Sequence, residues 1–130
     1  MREAINILRP TEVCITAHAR LHLGFLDLDG GLGRHFGCLG VAIAKPVTQL
    51  RLSHAAKLTV EGPDAERARD HLLTLATTTG RPASYQLKIE KSIIAHAGLG
   101  SGTQLALAVG TAFALMEGLP LSPSTIAAQL

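Results

Sequence analysis

The first half of the chain alternates polar and apolar side chains in short segments. Between Val13 and Leu23, the odd positions carry aliphatic residues and the even positions from Thr16 to His22 carry polar ones. This is the period of a half-buried strand. Further strands are predicted at Leu39–Ala44, Val47–Ser53, Lys57–Glu61 and Ser84–Lys91, with Lys45-Pro46 ending the first of these. The turn-rich stretch Asp27–Gly33 predicts a hairpin loop.

Two segments of the second half have helical periodicity. Apolar residues recur at helical spacing from Ala65 to Ala76, with Asp64 as the predicted N-cap and Gly80 as the end. An Ala- and Leu-rich helix is predicted over Thr103–Glu117, stopped by Gly118 and Pro120. The pattern predicts an α+β domain. One more helix is capped at Ser122-Pro123-Ser124 and breaks off at Leu130, so we expect a fragment of a longer protein.

Composition restricts the class of protein. The 130 residues are 47% hydrophobic and 17% charged, which is typical of one globular domain. Aromatic residues make up 3%, Trp is absent and the net charge is +2, so a nucleic-acid surface is not expected. The uncharged stretch Ser92–Met116 is interrupted by glycines, which leaves too short an apolar run to span a membrane. Cys14 and Cys38 are expected to be buried free thiols in a reducing cytoplasm.

The strongest candidate for chemistry is the glycine-rich segment Gly98–Thr103, between a predicted strand and a predicted helix. Glycines let the backbone approach a ligand, and a helix start provides unpaired N–H donors and partial positive charge. Ser101 and Thr103 offer hydroxyls for phosphate oxygens or for Mg²⁺. The segment has neither the lysine of a P-loop nor the spacing of a dinucleotide-binding motif. It predicts an anion site, with a tight strand-to-helix turn as the alternative.

Three weaker candidates accompany this segment. His18, Arg20 and His22 share the polar strand face, where they can meet an anionic substrate or form an ordinary solvated surface. Asp27 and Asp29 can hold Mg²⁺ or belong to a polar hairpin tip. His18 and His22 lie about 13 Å apart on a strand, too far to share a metal ion. The third candidate is His96, which directly precedes the glycines.

These motifs resemble those of a known superfamily. Gly98–Thr103 is similar to motif two of the GHMP small-molecule kinases, Pro-x-x-x-Gly-Leu-Gly-Ser-Ser, and Ala17–Gly24 resembles their first motif. A closer resemblance is to a non-kinase branch, the β-ribofuranosylaminobenzene 5′-phosphate synthase family, over Ala19–Gly24, Leu26–Arg34 and His96–Ala108. The continuation Gly102-Thr103-Gln104, in place of a second serine, separates this branch from the kinases. The chain departs from the branch at Ile94 and Ala95, where Pro and Glu are usual.

The resemblance implies a fold and an activity, to which site residues can be fitted. Residues 1–130 would form the GHMP-type N-terminal domain, similar to a domain of a small-subunit ribosomal protein, without the C-terminal domain that completes the cleft. The implied reaction condenses phosphoribosyl pyrophosphate with 4-hydroxybenzoate or 4-aminobenzoate, releasing CO₂ and pyrophosphate, toward methanopterin-type cofactors. When this chemistry is fitted to the residues, the hypothesised roles are Arg20, His22 and Asp27 for catalysis; His96, Gly98, Leu99, Gly100, Ser101, Gly102 and Thr103 for phosphate; Arg34 for substrate; and Ser101 and Asp29 for Mg²⁺.

Two other functions remain open from the sequence. An ATP-dependent GHMP kinase would use the same loop, although Gly102 in place of the second serine weighs against it. A nucleic-acid-binding module is the remote alternative, because residues 92–130 contain neither Lys nor Arg. We expect small-molecule substrates, no nucleic-acid or membrane partner, and self-association, since a missing second domain would expose apolar surface.

Overall fold

Six elements follow one another along the part of the chain that the computed structural model describes, residues 10–26, 37–93, 101–120 and 122. They are β1 (Glu12–Leu26), β2 (Gly37–His54), β3 (Thr59–Glu61), α1 (Ala65–Thr78), β4 (Tyr85–Lys91) and α2 (Ser101–Glu117). The strands form one sheet in the order β1-β2-β4-β3. Its β1/β2 and β2/β4 pairs are antiparallel, while β3 and β4 are parallel and joined through α1. The prediction of an α+β domain is confirmed.

The core lies between the sheet and the two helices. Helix α2 packs on β1 and β2, and α1 packs on α2 and β3. Because aromatic residues are few, aliphatic side chains fill most of this space, as the composition indicates. The largest fully buried side chains are Leu50, Leu52, Leu72, Leu75, Tyr85, Leu87, Ile93, Leu105, Val109, Phe113 and Met116. Within the described ranges, no helix has the length and apolarity needed to cross a membrane.

The alternating segment forms a strand, as predicted. β1 extends the predicted Val13–Leu23 at both ends and buries Val13 and Ala19 on one face. His18 and Arg20 are exposed on the other. β1 and β2 pair up to Leu26 and Gly37, so they form the predicted hairpin, while its loop lies outside the described residues.

The prediction that Lys45-Pro46 ends a strand is wrong. β2 runs without a break from Gly37 to His54 and contains a cis Lys45-Pro46 bond. His18 pairs with Val47 whereas Arg20 pairs with Ala42, so one residue of β1 faces four residues of β2. A bulge tolerates proline because the residues within it leave the ladder of hydrogen bonds. The strand therefore continues on both sides of Pro46.

Helix α1 begins where predicted, but not through the predicted side-chain cap. Asp64 occupies the N-cap position with φ of 58°, and its carboxylate makes no capping hydrogen bond. Instead, Asp64 Oδ2 accepts a hydrogen bond of 2.6 Å from Ser92 Oγ, just after β4. The carboxylate thus ties the start of α1 to the end of β4, a contact between residues 28 positions apart.

Helix α2 begins at Ser101, two residues before the predicted start, and ends at the predicted Glu117. Gly118 follows with φ of 65°, and Leu119 N–H donates to Ala114 O at 2.8 Å. A left-handed glycine and a backward hydrogen bond are usual at a helix C-terminus. The glycine after the helix is therefore its stop signal, as predicted.

The exposure of Cys14 and the position of His54 differ from what the sequence predicts. Cys14 is a free thiol, as expected, but it is exposed because it lies on the outward face of the edge strand β1. The side chain of Cys38 lies outside the described part. His54, one residue beyond the predicted strand Val47–Ser53, is the last residue of β2, and its ring stacks on Tyr85 with ring centroids 5.5 Å apart.

A buried polar cluster joins the end of α2 to the sheet. The Tyr85 hydroxyl donates a hydrogen bond to the Glu117 carboxylate, and both residues are buried. Arg81 Nε lies 3.6 Å from the other oxygen of this carboxylate. Since buried charges are stable only when paired, these contacts let α2 end inside the core on an acidic residue.

Candidate functional site

The start of α2 is the part of the predicted anion site that the structure describes. Ser101, Gly102 and Thr103 belong to the first turn of this helix, and that turn contains no acidic residue. The first N–H groups of a helix have no partner within the helix, and the aligned peptide dipoles give this end a partial positive charge. Such a turn can bind an anion, and this role stays a prediction for the three residues.

The chain that enters the predicted loop is held on two sides. Ser92 is bound to Asp64 at the start of α1, and the N–H of the buried Ile93 donates to the Thr48 hydroxyl of β2 at 3.4 Å. Residues 94–100, where the sequence predicts the loop, therefore follow an anchored residue and precede the first turn of α2. His96, Gly98, Leu99 and Gly100 fall in this region, outside the described residues, and their roles stay predictions.

The polar face of β1 does not join this turn through a described contact. Arg20 is exposed opposite Ala42, and no hydrogen bond or ion pair among the described residues links it to the first turn of α2. His18 Nδ1 lies 3.1 Å from Ala44 O, within the bulge of β2. The backbone of His22 pairs with that of Gly40 between β1 and β2, but the side chain of His22 is outside the described part of the structure. Asp27, Asp29 and Arg34 are also outside the described residues.

A cleft beside the loop entry contains two lysines that sequence reasoning missed. It has a volume of about 640 Å³ and is lined by Lys45, Pro46, Val47, Lys91 and Ser92. Lys45 belongs to the β2 bulge and Lys91 ends β4, so the pairing of β2 with β4 brings these two lysines to the lining of one cleft. Local sequence contains no signal for this, because the residues are far apart in the chain.

Arg67 is a third cation that sequence reasoning missed. It lies in the first turn of α1, and a Cβ atom placed on Gly102 would be only 2.6 Å from its Nη2 atom. One turn further along α1, burial lowers the pKa of the half-buried His71, and the charge of Arg67 lowers it further. Arg67 thus brings positive charge to the first turn of α2.

No cluster of three His, Cys, Asp or Glu side chains that could hold a metal ion is present in the described ranges. Ser101 provides one hydroxyl oxygen at the start of α2. Hydroxyl and carboxylate oxygens are suitable ligands for Mg²⁺. The predicted pair of Ser101 and Asp29 therefore has suitable chemistry, and its placement stays a prediction.

Curated relatives carry one common name. The chain is 34% identical over 111 residues to the beta-ribofuranosylphenol 5'-phosphate synthase of Archaeoglobus fulgidus, covering 84% of this chain and 35% of the relative. It is 30% identical over 126 residues to the protein of the same name from Methanothermobacter thermautotrophicus, covering 89% and 38% respectively. The chain therefore spans about a third of the length of these relatives.

Solved structures agree with the fold. Homoserine kinase from Cytophaga hutchinsonii matches with a TM-score of 0.70 and 17% identity, over 98% of this chain and 42% of the kinase. Mevalonate kinase from Methanococcus jannaschii matches with a TM-score of 0.67 and 13% identity, over 94% and 45%. The family described as GHMP kinases N terminal domain matches residues 65–130, half of the chain. Together with the α+β fold, this match establishes that the chain belongs to the GHMP kinase N-terminal domain family.

Proposed function

We propose that the full-length gene product transfers a phosphoribosyl group from phosphoribosyl pyrophosphate to a 4-substituted benzoate in the cytoplasm, toward methanopterin-type cofactors. The name of the curated relatives supports this reaction. It favours 4-hydroxybenzoate over 4-aminobenzoate as the acceptor, because loss of the carboxylate from a 4-hydroxybenzoate ring leaves a phenol. The product would be a ribofuranosylphenol 5′-phosphate.

The proposal depends most on the first turn of α2, which contains no acidic residue. Ser101 and Thr103 bring hydroxyls to a helix end whose N–H groups are unpaired within the helix. As the bond from ribose C1′ to the pyrophosphate oxygen breaks, negative charge grows on the leaving group. Preorganised donors stabilise such charge most when it develops in the transition state. In this proposal, the turn binds the leaving pyrophosphate.

The remaining steps use the ring carbon that carries the carboxylate. This carbon forms the new bond to C1′, and the bond to the carboxyl carbon then breaks, returning its electron pair to the ring and releasing CO₂. Lys45 and Lys91 line a cleft where an anionic group can bind. Arg20, His22 and Arg34 are the further proposed contacts for phosphate or carboxylate. Asp27 would steady the cationic sugar carbon, and Mg²⁺, held by Ser101 and Asp29, would supply charge neutralisation for the phosphates.

The second candidate function is an ATP-dependent small-molecule kinase. Its support is the similarity of the fold to homoserine kinase and mevalonate kinase. At 17% and 13% sequence identity, this similarity concerns the fold and not the activity. Gly102 stands where motif two of the kinases carries its second serine, whose hydroxyl would serve a phosphoryl-transfer site. We therefore place the synthase first.

Replacing Ser101 with alanine tests the binding turn. We expect Ser101→Ala to weaken pyrophosphate binding by about 1–3 kcal/mol, the range for one hydrogen bond to a charged group. Titration calorimetry of the full-length gene product with pyrophosphate and Mg²⁺ measures this. Thr74→Ala is the matched control, since the Thr74 hydroxyl donates to Asp70 O within α1. Equal affinities of parent and Ser101→Ala, with Thr74→Ala also unchanged, would contradict the assignment of this turn.

A glycine of the predicted loop gives a second, larger effect. Gly100→Val is expected to abolish pyrophosphate binding, because a branched side chain would occupy the space that the ligand needs for a close backbone approach. Circular dichroism first establishes that the variant is folded. A folded Gly100→Val protein that binds pyrophosphate as tightly as the parent would reduce the segment to a structural turn.

A further inference from the structure

The outer edge of the sheet at β1 is free among the described residues. In the order β1-β2-β4-β3, β1 pairs with β2 on one side and with no other described strand on the other. In an antiparallel pair, successive N–H groups of a strand point alternately toward the partner and away from it. Alternate N–H and C=O groups of β1 therefore point outward, and such a row is a template for another strand.

The sequence of β1 does not protect this edge. Natural edge strands usually carry charged side chains or proline, which discourage pairing with another strand. Between Glu12 and Arg20, β1 contains neither proline nor an acidic residue, lysine or arginine. The pairing with β2 is also regular from Glu12 to His18, because the first register shift comes after His18. Residues 13–17 thus form a straight, uncharged edge.

A groove beside this edge has an uncharged helix as its other wall. Its volume is about 370 Å³. It is lined by residues 14–17 of β1 and by Gln104, Leu107, Ala108 and Thr111 of α2. Helix α2 has no charged side chain before Glu117, and Leu115, one turn after Thr111, is 52% exposed. A helix without charged residues on any side is usually covered on all sides.

The length of the curated relatives indicates what covers the groove. This chain matches 35% of the Archaeoglobus fulgidus relative and 38% of the Methanothermobacter thermautotrophicus relative. Roughly two-thirds of a gene product of that length therefore lies outside residues 1–130. A strand of the same polypeptide has an effective concentration on the order of 1 mM, which favours it over a second copy of the protein.

We propose that a β-strand from outside residues 1–130 of the full-length gene product pairs with the outer edge of β1 and covers the groove beside α2. The added strand extends the sheet through backbone hydrogen bonds to residues 13–17. Its side chains point alternately to the two faces of the sheet, so every second one packs on α2 beside Leu107 and Thr111. The partner segment is therefore one that alternates apolar and polar residues.

Residue-resolved hydrogen exchange of the full-length gene product tests the pairing. We expect every amide of residues 13–17 to exchange at least about 100-fold more slowly than in an unstructured peptide, since the outward amides are paired as well. Leu50 and Leu52 of β2 are the reference, because they pair with β1 on one side and with β4 on the other. Exchange of alternate amides in residues 13–17 at the rate of an unstructured peptide would overturn the proposal.

The same exchange measurement identifies the occupant of the edge. Protection is expected not to change on dilution, as for an intramolecular contact. If protection is lost on dilution together with a dimer seen by analytical ultracentrifugation, a second copy is the occupant and the proposal is wrong. Deleting residues 1–9 from the full-length gene product is expected to leave the protection in place. Its loss would assign the strand to those residues and equally overturn the proposal.

Thr111→Lys tests the groove, with Thr77→Lys as the matched control. Thr111 is half-buried in the groove wall, whereas Thr77 is exposed on α1. In the full-length gene product, Thr111→Lys is expected to lower the Tm by about 5 °C or more, because the covering strand would bury an ammonium group. Thr77→Lys is expected to change it by less than about 2 °C, as for a surface substitution. Equal Tm values would contradict packing of a strand on α2, since in an open groove the lysine reaches water.

Discussion

Replacing Gly62 with alanine is expected to destabilise the fold by about 3 kcal/mol or more. Gly62 lies between β3 and α1 with φ of 109°, a conformation that side chains strongly disfavour. A Cβ atom there would be 2.1 Å from the carbonyl oxygen of Ile89, in the backbone of β4. Since a strand backbone cannot move aside as a flexible side chain can, β4 or the start of α1 must shift.

Gly80→Ala is the matched control for Gly62→Ala. Gly80 also has a positive φ, of 68°, but an added Cβ would meet nothing within 4 Å. It carries only the cost of the left-handed conformation, about 1–2 kcal/mol. Urea unfolding followed by circular dichroism measures both variants. A Gly62→Ala protein no less stable than Gly80→Ala would contradict the close approach between this turn and β4.

Tyr85 is expected to stay protonated until the protein unfolds at alkaline pH. Burial, followed by the hydrogen bond to the Glu117 carboxylate and by its negative charge, raises the pKa of Tyr85 well above its ordinary value of 10.0. In the unfolded chain the phenol ionises near that ordinary value. The unfolded state then binds fewer protons than the folded state, so the free energy of unfolding falls as pH rises above about 10.

The ultraviolet absorbance of tyrosinate reports this titration directly, because the chain has one Tyr and no Trp. The signal is expected to rise together with the loss of helical circular dichroism. Tyr85→Phe is the control: it should lose about 1–3 kcal/mol of stability near pH 7, by leaving a buried carboxylate without this donor, and show a weaker alkaline decline. Tyrosinate forming near pH 10 in a protein that stays folded would contradict the buried cluster.

The elements that the sequence predicts well are those set by local periodicity. The alternation from Val13 to Leu23 and the helical spacing after Asp64 each place one face in the core, and both elements are present. The predicted strand end at Pro46 is wrong. Proline usually interrupts a ladder of strand hydrogen bonds, whereas here a bulge against β1 accommodates it. The sheet order, with β4 between β2 and β3, depends on pairings between distant segments that local patterns do not encode.

The candidate site also has a part that local sequence predicts and a part that depends on contacts between distant segments. The glycine-rich segment before a helical pattern predicts an anion site at the start of a helix, although α2 begins at Ser101, two residues before the predicted start. Arg67 and the lysine pair of the cleft do not follow, because residues far apart in the chain meet only once α1 packs on α2 and β2 pairs with β4. Asp64 is a residue type that often caps helices, but its carboxylate accepts a hydrogen bond from the distant Ser92 instead.

We propose that a diphosphate binds at the start of α2 as a leaving group and not as a phosphoryl donor. The most direct test of this proposal is to incubate the full-length gene product with phosphoribosyl pyrophosphate, 4-hydroxybenzoate and Mg²⁺, and to measure released pyrophosphate and CO₂. We predict equal amounts of the two, with no requirement for ATP. Consumption of ATP with formation of a phosphorylated small molecule, and no release of pyrophosphate from phosphoribosyl pyrophosphate, would contradict the claim and favour the kinase.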